Sequence, residues 1–411
     1  MHARFPEASW QVIVIDLAVF ASTFVVAGVL ALVYSVIAGR TLSAAQFGLF
    51  NALFGVITIA SHLAASIQLA ATNVAVRHAH RSGLRQLLIS TRRMTLPGTV
   101  LVTVAAMPLA GSFGASGLEI GVCGLTIFIL FISSAALGFL TGVAGVRAQA
   151  KLILFGAVTR VATGWPLMLM GFGVIGAVLG FLLNYVLVLI VSVSMGAAAA
   201  AGFEPEGRSV PPLKLDSASV TAFVLTFAPL GLDQVLVQLF ATEHGGHYAA
   251  IATTSKLVFF CTYPIIAVAY PHLLRESDKP RRVRLLAAAA ATVALVALSV
   301  TAVLTMFPDT SLQLFFGERF SDGAPYVSQL AASATCLSLS ALATHALIAW
   351  GAPYAYVPSL VAIVSGAALF AARHSSLGVL VENQLWLCAI QLALIVPMVS
   401  VVISRSLRRI S

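Results

Sequence analysis

Two cations and one carboxylate lie inside long apolar segments of this sequence, where charged side chains are otherwise rare. They are Lys256, Arg160 and Asp233, each several residues from the nearer end of its apolar run. A charge at the centre of a membrane span costs about 2.5 to 3.5 kcal/mol on insertion scales, so it usually faces a cavity or a partner. These residues are therefore the first candidates for binding an anionic ligand or for responding to a proton.

Asp233 and Lys256 occupy equivalent depths in neighbouring predicted spans. Asp233 lies eight residues before the end of one span at Ala241, and Lys256 lies eight residues after the start of the next at Tyr248. At about 1.5 Å per residue, both lie roughly 12 Å below the same surface. We expect them to pair in at least one conformational state, either as a structural ion pair or as a coupling pair that an anionic ligand or a proton breaks.

Arg160 allows two interpretations. It lies about 12 Å from the inner end of its span at the same rise per residue. Its long side chain could reach the inner interface while its stem stays in lipid, as cationic side chains do near helix ends. The alternative is a central role in ligand binding, and the position of the guanidinium in the folded chain decides between the two.

A polar stripe runs along the second apolar segment, which follows the short polar connection that begins at Gly39. A stripe of this kind in a membrane helix must face protein or water. His62 lies near its middle, where it serves either as a helix-bridging hydrogen-bonding residue or as a proton sensor. At 100° per residue, seven residues fall within about a third of the circumference: Asn51, Gly55, Thr58, His62, Ser66, Asn73 and Arg77.

The composition requires a membrane to surround these segments. The 411 residues are 60% hydrophobic and 9% charged, which no water-soluble domain can bury within itself. The cysteines have no metal-like spacing, basic residues form no stripe interleaved with aromatics, and no catalytic motif is present. We therefore expect a polytopic membrane protein that is not an enzyme, with no metal, no cofactor and no nucleic-acid partner.

Apolar runs long enough to cross a bilayer, about 20 residues each, number twelve. They predict an all-α integral membrane fold, and their approximate bounds are 12–37, 48–76, 94–113, 119–143, 153–171, 174–200, 217–241, 248–271, 285–307, 324–350, 355–372 and 384–404.

The basic residues predict the orientation of these spans. Eighteen of the 23 lysines and arginines fall in connections on one side, three on the other and two inside spans. Cytoplasmic loops carry the excess of lysine and arginine, so both termini are expected in the cytoplasm.

The spans divide into two similar sets of six. The connection 202–216 is rich in proline and charge and reads as a cytoplasmic linker between a six-helix lobe at 1–201 and another at 217–411. Each set contains a short outer turn and a following basic connection that ends in an arginine pair, Arg92-Arg93 or Arg281-Arg282. Because six is even, the lobes would share one topology and be related by a pseudo-twofold axis along the membrane normal.

Four motifs together resemble one family of transporters. They are GRTLSAAQFGLFNAL, the run from GFLTGVAGVRAQAKL to GVIGAVLG, Asp233 followed by GGHYAAIATTSKL, and LFFGERFSDGAPYV. In order and spacing they resemble the polysaccharide-export flippases, which transport O-antigen or exopolysaccharide repeat units. These flippases belong to the multidrug/oligosaccharidyl-lipid/polysaccharide exporter superfamily, which also holds the multidrug and toxin extrusion transporters and the lipid II flippases.

The resemblance implies a function and a location. It implies two lobes around a V-shaped cavity, and transport of a lipid-linked oligosaccharide, on undecaprenyl diphosphate, to the outer leaflet of the bacterial cytoplasmic membrane. It also implies that polysaccharide polymerase and export machinery are partners of the protein. Lys256 matches a position that is often basic in the family, and with Arg160 it would contact the diphosphate or acidic sugars. The low charge of this cavity fits a neutral repeat unit on a diphosphate.

The expected cleft combines both lobes: Asn51, Thr58, His62, Ser66 and Asn73 face Lys256 and Tyr263. A rival function is a drug or metabolite antiporter of the same superfamily, coupled through Asp233, Lys256 or His62. A membrane glycan polymerase would need a large catalytic outer loop, which is missing from this sequence, and a structural scaffold would cause no export defect when deleted.

Overall fold

The computed structural model describes residues 10–78, 80–202, 213, 215–276 and 278–408, and every regular element within them is a helix. We call α1–α6 the N-terminal half and α7–α14 the C-terminal half. The N-terminal half contains α1 (Trp10–Thr41), α2 (Ala44–Arg77), α3 (Arg81–Ala106), α4 (Gly117–Ala144), α5 (Val146–Leu167) and α6 (Gly173–Ala199). The C-terminal half contains α7 (Ser217–Phe227), α8 (Pro229–Phe240), α9 (Gly245–Arg275), α10 (Lys279–Met306), α11 (Pro308–Phe316), α12 (Val327–Ala349), α13 (Val357–Ala372) and α14 (Leu377–Arg408).

The helices form a multi-pass membrane protein, as predicted. By length and composition, eight helical stretches in the described residues can cross a membrane, or nine if one bent pair counts as a span. Each of the twelve predicted segments nevertheless overlaps a helix or that bent pair. One 54-residue stretch, Val146–Ala199, holds both α5 and α6, which meet at a turn where Gly171 has φ +88°. The count of twelve and the twofold relation stay predictions.

The seventh predicted span, 217–241, consists of two helices, α7 and α8, instead of one straight helix. The chain bends by 57° between α7 and α8, at Pro229, which has no N–H to continue the helical hydrogen bonds. Two glutamines of α14 donate to carbonyls on either side of the bend. Gln384 Nε2 donates to the Pro229 carbonyl (3.1 Å), and Gln391 Nε2 donates to the Thr226 carbonyl (3.3 Å). In a bilayer such carbonyls need protein partners, because the hydrocarbon offers none.

The two basic connections predicted around the arginine pairs are largely helical. Helix α3 begins at Arg81 and α10 at Lys279, so both pairs lie within helices. Helix α2 ends at Arg77 and α9 at Arg275, so most of each connection is the first part of the following helix, which extends beyond its apolar part. In α10, the Arg282 guanidinium donates to the Ala349 carbonyl and lies 4.2 Å from the centre of the Trp350 ring.

Helix α2 is the central element of the fold. It begins with a capping box, in which Ser43 Oγ accepts from the Gln46 N–H (3.2 Å) and Gln46 Oε1 accepts from the Ser43 N–H (3.1 Å). Within its own half α2 packs against α4 and α6, and across to the other half it packs against α7, α8 and α9. Helix α2 therefore forms much of the contact between the halves.

The two halves meet most tightly near the start of α2, through glycines. A Cβ added at Gly55 would collide with the Gly231 carbonyl oxygen, and one added at Gly231 would collide with the Gly55 carbonyl. A Cβ at Gly48 would lie 2.7 Å from the Gly245 carbonyl carbon. Only glycine allows these backbones to approach so closely.

Arginines join the halves at the same end of the molecule. Arg40 donates to the carbonyls of Leu314 (2.6 Å) and Phe315 (2.9 Å), while Arg319 donates to the Gly39 carbonyl. Each arginine thus binds the last carbonyls of a helix in the other half. We call this end the closed end, and the opposite end, which holds the starts of α3 and α10, the basic end.

Candidate functional site

A cavity of about 420 Å³ lies mainly within the N-terminal half, and we call it the N-terminal cavity. Helices α1, α2, α4, α5 and α6 form most of its wall, and the C-terminal half adds Leu230, Lys256 and Phe260. Among the described residues no carboxylate lines it. Its polar lining residues are Thr58, Ser61, Gln68, Ser133, Ser134, Arg160, Asn184, Tyr185 and Lys256.

Arg160 directs its guanidinium into a pocket of aromatic rings. The guanidinium carbon lies 4.9 Å from the centre of the Phe181 ring and 5.5 Å from that of Tyr34, whose hydroxyl donates to the Ala177 carbonyl (2.6 Å). Arg160 Nε is buried and makes no hydrogen bond to the protein. Tyr34 lies in the part of α1 nearest the closed end, so the expectation that Arg160 reaches the inner interface is wrong in this conformation. Two aromatic faces hold the cation instead.

Asn184 adds a second unsatisfied polar group to the same cavity. Its side-chain oxygen is buried without a hydrogen-bond partner and lies against Gly156, one turn from Arg160 on α5. Sequence analysis missed this residue, because a single asparagine in an apolar helix has no partner in the sequence to mark its role. Arg160 and Asn184 therefore both line the cavity, and each has one buried polar atom without a hydrogen-bond partner in the described part of the chain.

Lys256 reaches the N-terminal cavity from the C-terminal half and is held by Gln234. In the amide orientation that satisfies both neighbours, Gln234 Oε1 accepts from Lys256 Nζ (2.9 Å) and its nitrogen donates to the Asn51 carbonyl (2.9 Å). The Asn51 side chain itself donates to the Phe47 carbonyl of its own helix (2.9 Å). Gln234 is buried, was not among the predicted site residues, and connects the cation to the contact between the halves.

Asp233 lies beside Lys256 but forms no ion pair with it in the described part of the chain. One carboxylate oxygen accepts from the Tyr248 hydroxyl (3.1 Å), and the other is buried without a partner. Both Asp233 and Lys256 line a small cavity of about 20 Å³, together with Ser255 and Gln384. That volume suffices for one water molecule or a small cation. Pairing of Asp233 with Lys256 stays a prediction for another conformational state.

The predicted polar stripe of α2 does not line one cavity along its whole length. Thr58 lines the N-terminal cavity, whereas Ser66 and Asn73 line a second cavity nearer the basic end. Between them the His62 ring stacks on Phe227, with ring centres 4.8 Å apart. Its Nε2 is buried and makes no hydrogen bond to the protein, and the residue lines neither cavity. Asn51 lies at the contact between the halves.

The second cavity, which we call the vestibule, has a volume of about 320 Å³ and lies between the two halves. Ala65 lines both cavities, so they adjoin at α2. Beside this point, contacting rings run from the N-terminal cavity to the vestibule. We call them the aromatic layer: Phe24, Tyr263, Phe227, His62 and Phe223.

The N-terminal cavity has the electrostatics of an anion site. Arg160 and Lys256 both line it, and no acidic side chain of the described residues does; Asp233, which lies beside Lys256, lines the separate small cavity. Because apolar walls lower the local dielectric, each positive charge acts more strongly on a ligand than it would in water. The structure therefore brings together three predicted site residues: Arg160, Lys256 and Thr58.

No family model matches the sequence, and no curated protein matches it. Solved structures match nearly the whole chain. A multidrug resistance MATE family transporter of the MOP superfamily, in an inward-facing conformation, has a TM-score of 0.64 at 14% identity, covering 94% of this chain and 98% of that one. The lipid II flippase MurJ, in an inward closed conformation, has a TM-score of 0.70 at 12% identity, covering 93% and 87%. The MATE multidrug transporter DinF-BH has a TM-score of 0.61 at 15% identity, covering 98% and 97%.

These matches are structural likenesses at low sequence identity, so they establish the fold. The matched proteins are transporters and a flippase rather than enzymes. The finer resemblance to polysaccharide-export flippases stays a prediction. The chain has the fold that multidrug transporters and the lipid II flippase of the MOP superfamily share.

Proposed function

We propose that this protein is a flippase that moves a lipid-linked oligosaccharide, carried on undecaprenyl diphosphate, from the inner to the outer leaflet of the bacterial cytoplasmic membrane. The observation that carries the proposal is the N-terminal cavity, which Arg160 and Lys256 both line and which no carboxylate among the described residues lines. Two cations in an apolar surround suit a diphosphate, which carries negative charge and many acceptor oxygens. Polysaccharide polymerase and export proteins would then use the delivered repeat unit.

The proposed mechanism solves a solvation problem. A sugar head group must cross about 30 Å of hydrocarbon, where each unsatisfied polar group costs several kcal/mol. A cavity between two lobes, 1–201 and 217–411, lets the head group cross while the lipid tail stays in the bilayer. In this proposal the basic end is cytoplasmic, linker 202–216 joins the lobes there, and the lobes rock to alternate access. The glycine and arginine contacts of the closed end then shut the outer side.

The test is transport in reconstituted vesicles. Purified protein in liposomes that contain undecaprenyl-diphosphate oligosaccharide should expose the glycan to an external lectin, and protein-free liposomes should not. In cells, deletion of the gene should remove surface glycan. A drug-resistance defect with intact surface glycan would favour the antiporter instead.

Arg160→Ala should raise the substrate concentration needed for half-maximal flipping in the vesicle assay by about tenfold or more, because one charge-assisted contact to phosphate is lost. The measurement is the substrate concentration at half-maximal flipping. Lys151→Ala is the matched control, since this exposed cation lies on the same helix and does not line the cavity. Equal concentration dependence in the Arg160 variant and the control would contradict the assigned contact.

Asp233 supports a second candidate function, that of a cation-coupled antiporter. One of its carboxylate oxygens has no partner among the described residues, and the residue lines a cavity large enough for a small cation, which suits a role in ion coupling. The charges of the N-terminal cavity disfavour a positively charged drug as cargo, so we rank this function second.

If a proton or cation gradient drives transport through Asp233, Asp233→Asn should remove the stimulation by that gradient and leave passive exchange measurable. The readout is flipping with and without an imposed gradient of protons or sodium. Asp309→Asn, at an exposed position in α11, is the control. Stimulation that persists in the Asp233 variant would exclude Asp233 from coupling.

A further inference from the structure

The vestibule differs from the N-terminal cavity in its chemistry. One carboxylate, Asp216, lines it, and no lysine or arginine among the described residues does. Helix α2 forms one wall, and α7, α9 and α12 form the others. The vestibule is therefore unsuited to a diphosphate, and a different part of the cargo would bind there.

One wall of the vestibule is aromatic. The rings of Tyr270 and His345 lie 4.9 Å apart in an edge-to-face arrangement, and Phe223 lies 5.6 Å from His345 on its other side. His345 Nδ1 is 2.7 Å from the Ala341 carbonyl, which fixes the orientation of the ring. The Tyr270 hydroxyl has no hydrogen-bond partner among the described side chains and carbonyls. The wall thus offers rigid ring surfaces and one free hydroxyl.

A second part of the wall, formed by α2 and by the first turn of α7, is polar. The exposed amide of Asn73 makes no hydrogen bond to the described protein and can both donate and accept. At the start of α7, the Ser219 hydroxyl donates to Asp216 Oδ2 (2.5 Å), which leaves the second carboxylate oxygen free as an acceptor. Ser66 lies on α2 two turns before Asn73. The wall presents an amide and a carboxylate at the mouth of an otherwise apolar cavity.

A pyranose ring matches these two walls. It has a face of C–H groups, which packs against the negative face of an aromatic ring, and an edge of hydroxyls, which an amide and a carboxylate can bind. We propose that the vestibule is a binding site for a neutral sugar of the cargo, an inference that rests on the proposed flippase function. Its volume of about 320 Å³ lies at the lower end of the range for ligand pockets, roughly 300 to 1,000 Å³. Asp216 repels acidic sugars and so sets the specificity.

The sugar site and the diphosphate site are separate but connected. Along α2 the residues that line the vestibule are centred about eight positions beyond those that line the N-terminal cavity, which is roughly 12 Å. Ala65 lines both. The vestibule therefore selects the sugar at the basic end before the diphosphate reaches Arg160 and Lys256.

Saturation-transfer NMR on the full chain in lipid nanodiscs tests the site with two matched probes. Methyl β-glucoside is neutral, and methyl β-glucuronide differs from it by a carboxylate at C6. The glucoside should receive saturation at its ring C–H protons, and the glucuronide should receive at most about a fifth as much. Asn73→Ala should lower the glucoside signal about fivefold. Asp216→Asn should raise the glucuronide signal to within about twofold of the glucoside.

The control is Thr292→Ala, at an exposed position of α10 that lines neither cavity, and it should leave both signals unchanged. Equal saturation of the two probes by the unmodified protein would overturn the proposal, and so would an unchanged glucoside signal in Asn73→Ala. The vesicle assay separates the two ideas. Flipping of lipid-linked glycan without glycoside binding refutes the vestibule site alone, whereas selective glycoside binding without flipping supports the site and refutes the proposed transport.

Discussion

Replacing Lys256 with alanine is expected to abolish glycan export and to leave the amount of protein in the membrane unchanged. Lys256 is the only cation that the C-terminal half contributes to the described wall of the N-terminal cavity. Its loss removes a charge-assisted contact to the cargo, about 1.5 to 3 kcal/mol, or roughly ten- to 150-fold in binding. Gln234 loses its partner at the same time. The measurement is surface glycan in a deletion strain that carries the variant, with immunoblotting for abundance.

Two further variants of the same position separate charge from shape. Lys256→Arg keeps the cation and should retain part of the export, whereas Lys256→Gln keeps a hydrogen-bond donor without the charge and should behave like the alanine variant. Normal surface glycan in Lys256→Ala would remove this residue from the proposed mechanism.

Replacing Gly55 with leucine is expected to stop transport by holding the halves apart at the closed end. Any side chain at Gly55 collides with the backbone carbonyl of Gly231, which cannot move aside as a flexible side chain could. Leucine is a good helix former, so α2 should still fold. Gly98→Leu is the matched control, because a Cβ at this glycine of α3 meets nothing within 4 Å.

Thiol labelling measures the position of the closed end directly. A cysteine at Asn51, in a chain whose native cysteines are serines, should be protected from a membrane-impermeant reagent, since Asn51 is buried between the halves. Adding Gly55→Leu should make it reactive from the outer side. Continued protection, or normal transport by Gly55→Leu, would show that the glycine contact does not govern closure.

The sequence predicted the parts of this fold that depend on composition and local pattern. Apolar runs of the right length located the helices, and the intramembrane positions of Lys256 and Arg160 singled out two cations that share one cavity. Both predictions draw on the large cost of exposing polar groups to hydrocarbon, which acts residue by residue. The bend at Pro229 was also predictable in principle, because proline lacks the N–H that continues a helix, although its 57° angle was not.

The contacts between distant helices could not be predicted from the sequence pattern. Helical periodicity placed His62, Ser66 and Thr58 on one side of α2, but two cavities and an aromatic layer at different depths divide that side. Gln234 bonds to partners on other helices, and the Asn184 side chain lies against Gly156 of α5. A single sequence carries no signal for such pairs, since neither the spacing nor the residue type distinguishes them from ordinary interhelical hydrogen-bonding residues.

The bend between α7 and α8 divides this pair of helices into two segments with different partners. Helix α8 is fixed to α2 through Gly231, whereas α7 carries Phe223 at the wall of the vestibule. The carbonyls at the bend are bonded to the side chains of Gln384 and Gln391. A side-chain amide on rotatable bonds can follow a tilting carbonyl, which a backbone N–H fixed in a helix cannot do. In the proposed mechanism, a tilt of α7 would widen the vestibule at the basic end while the contact between α8 and α2 stays in place.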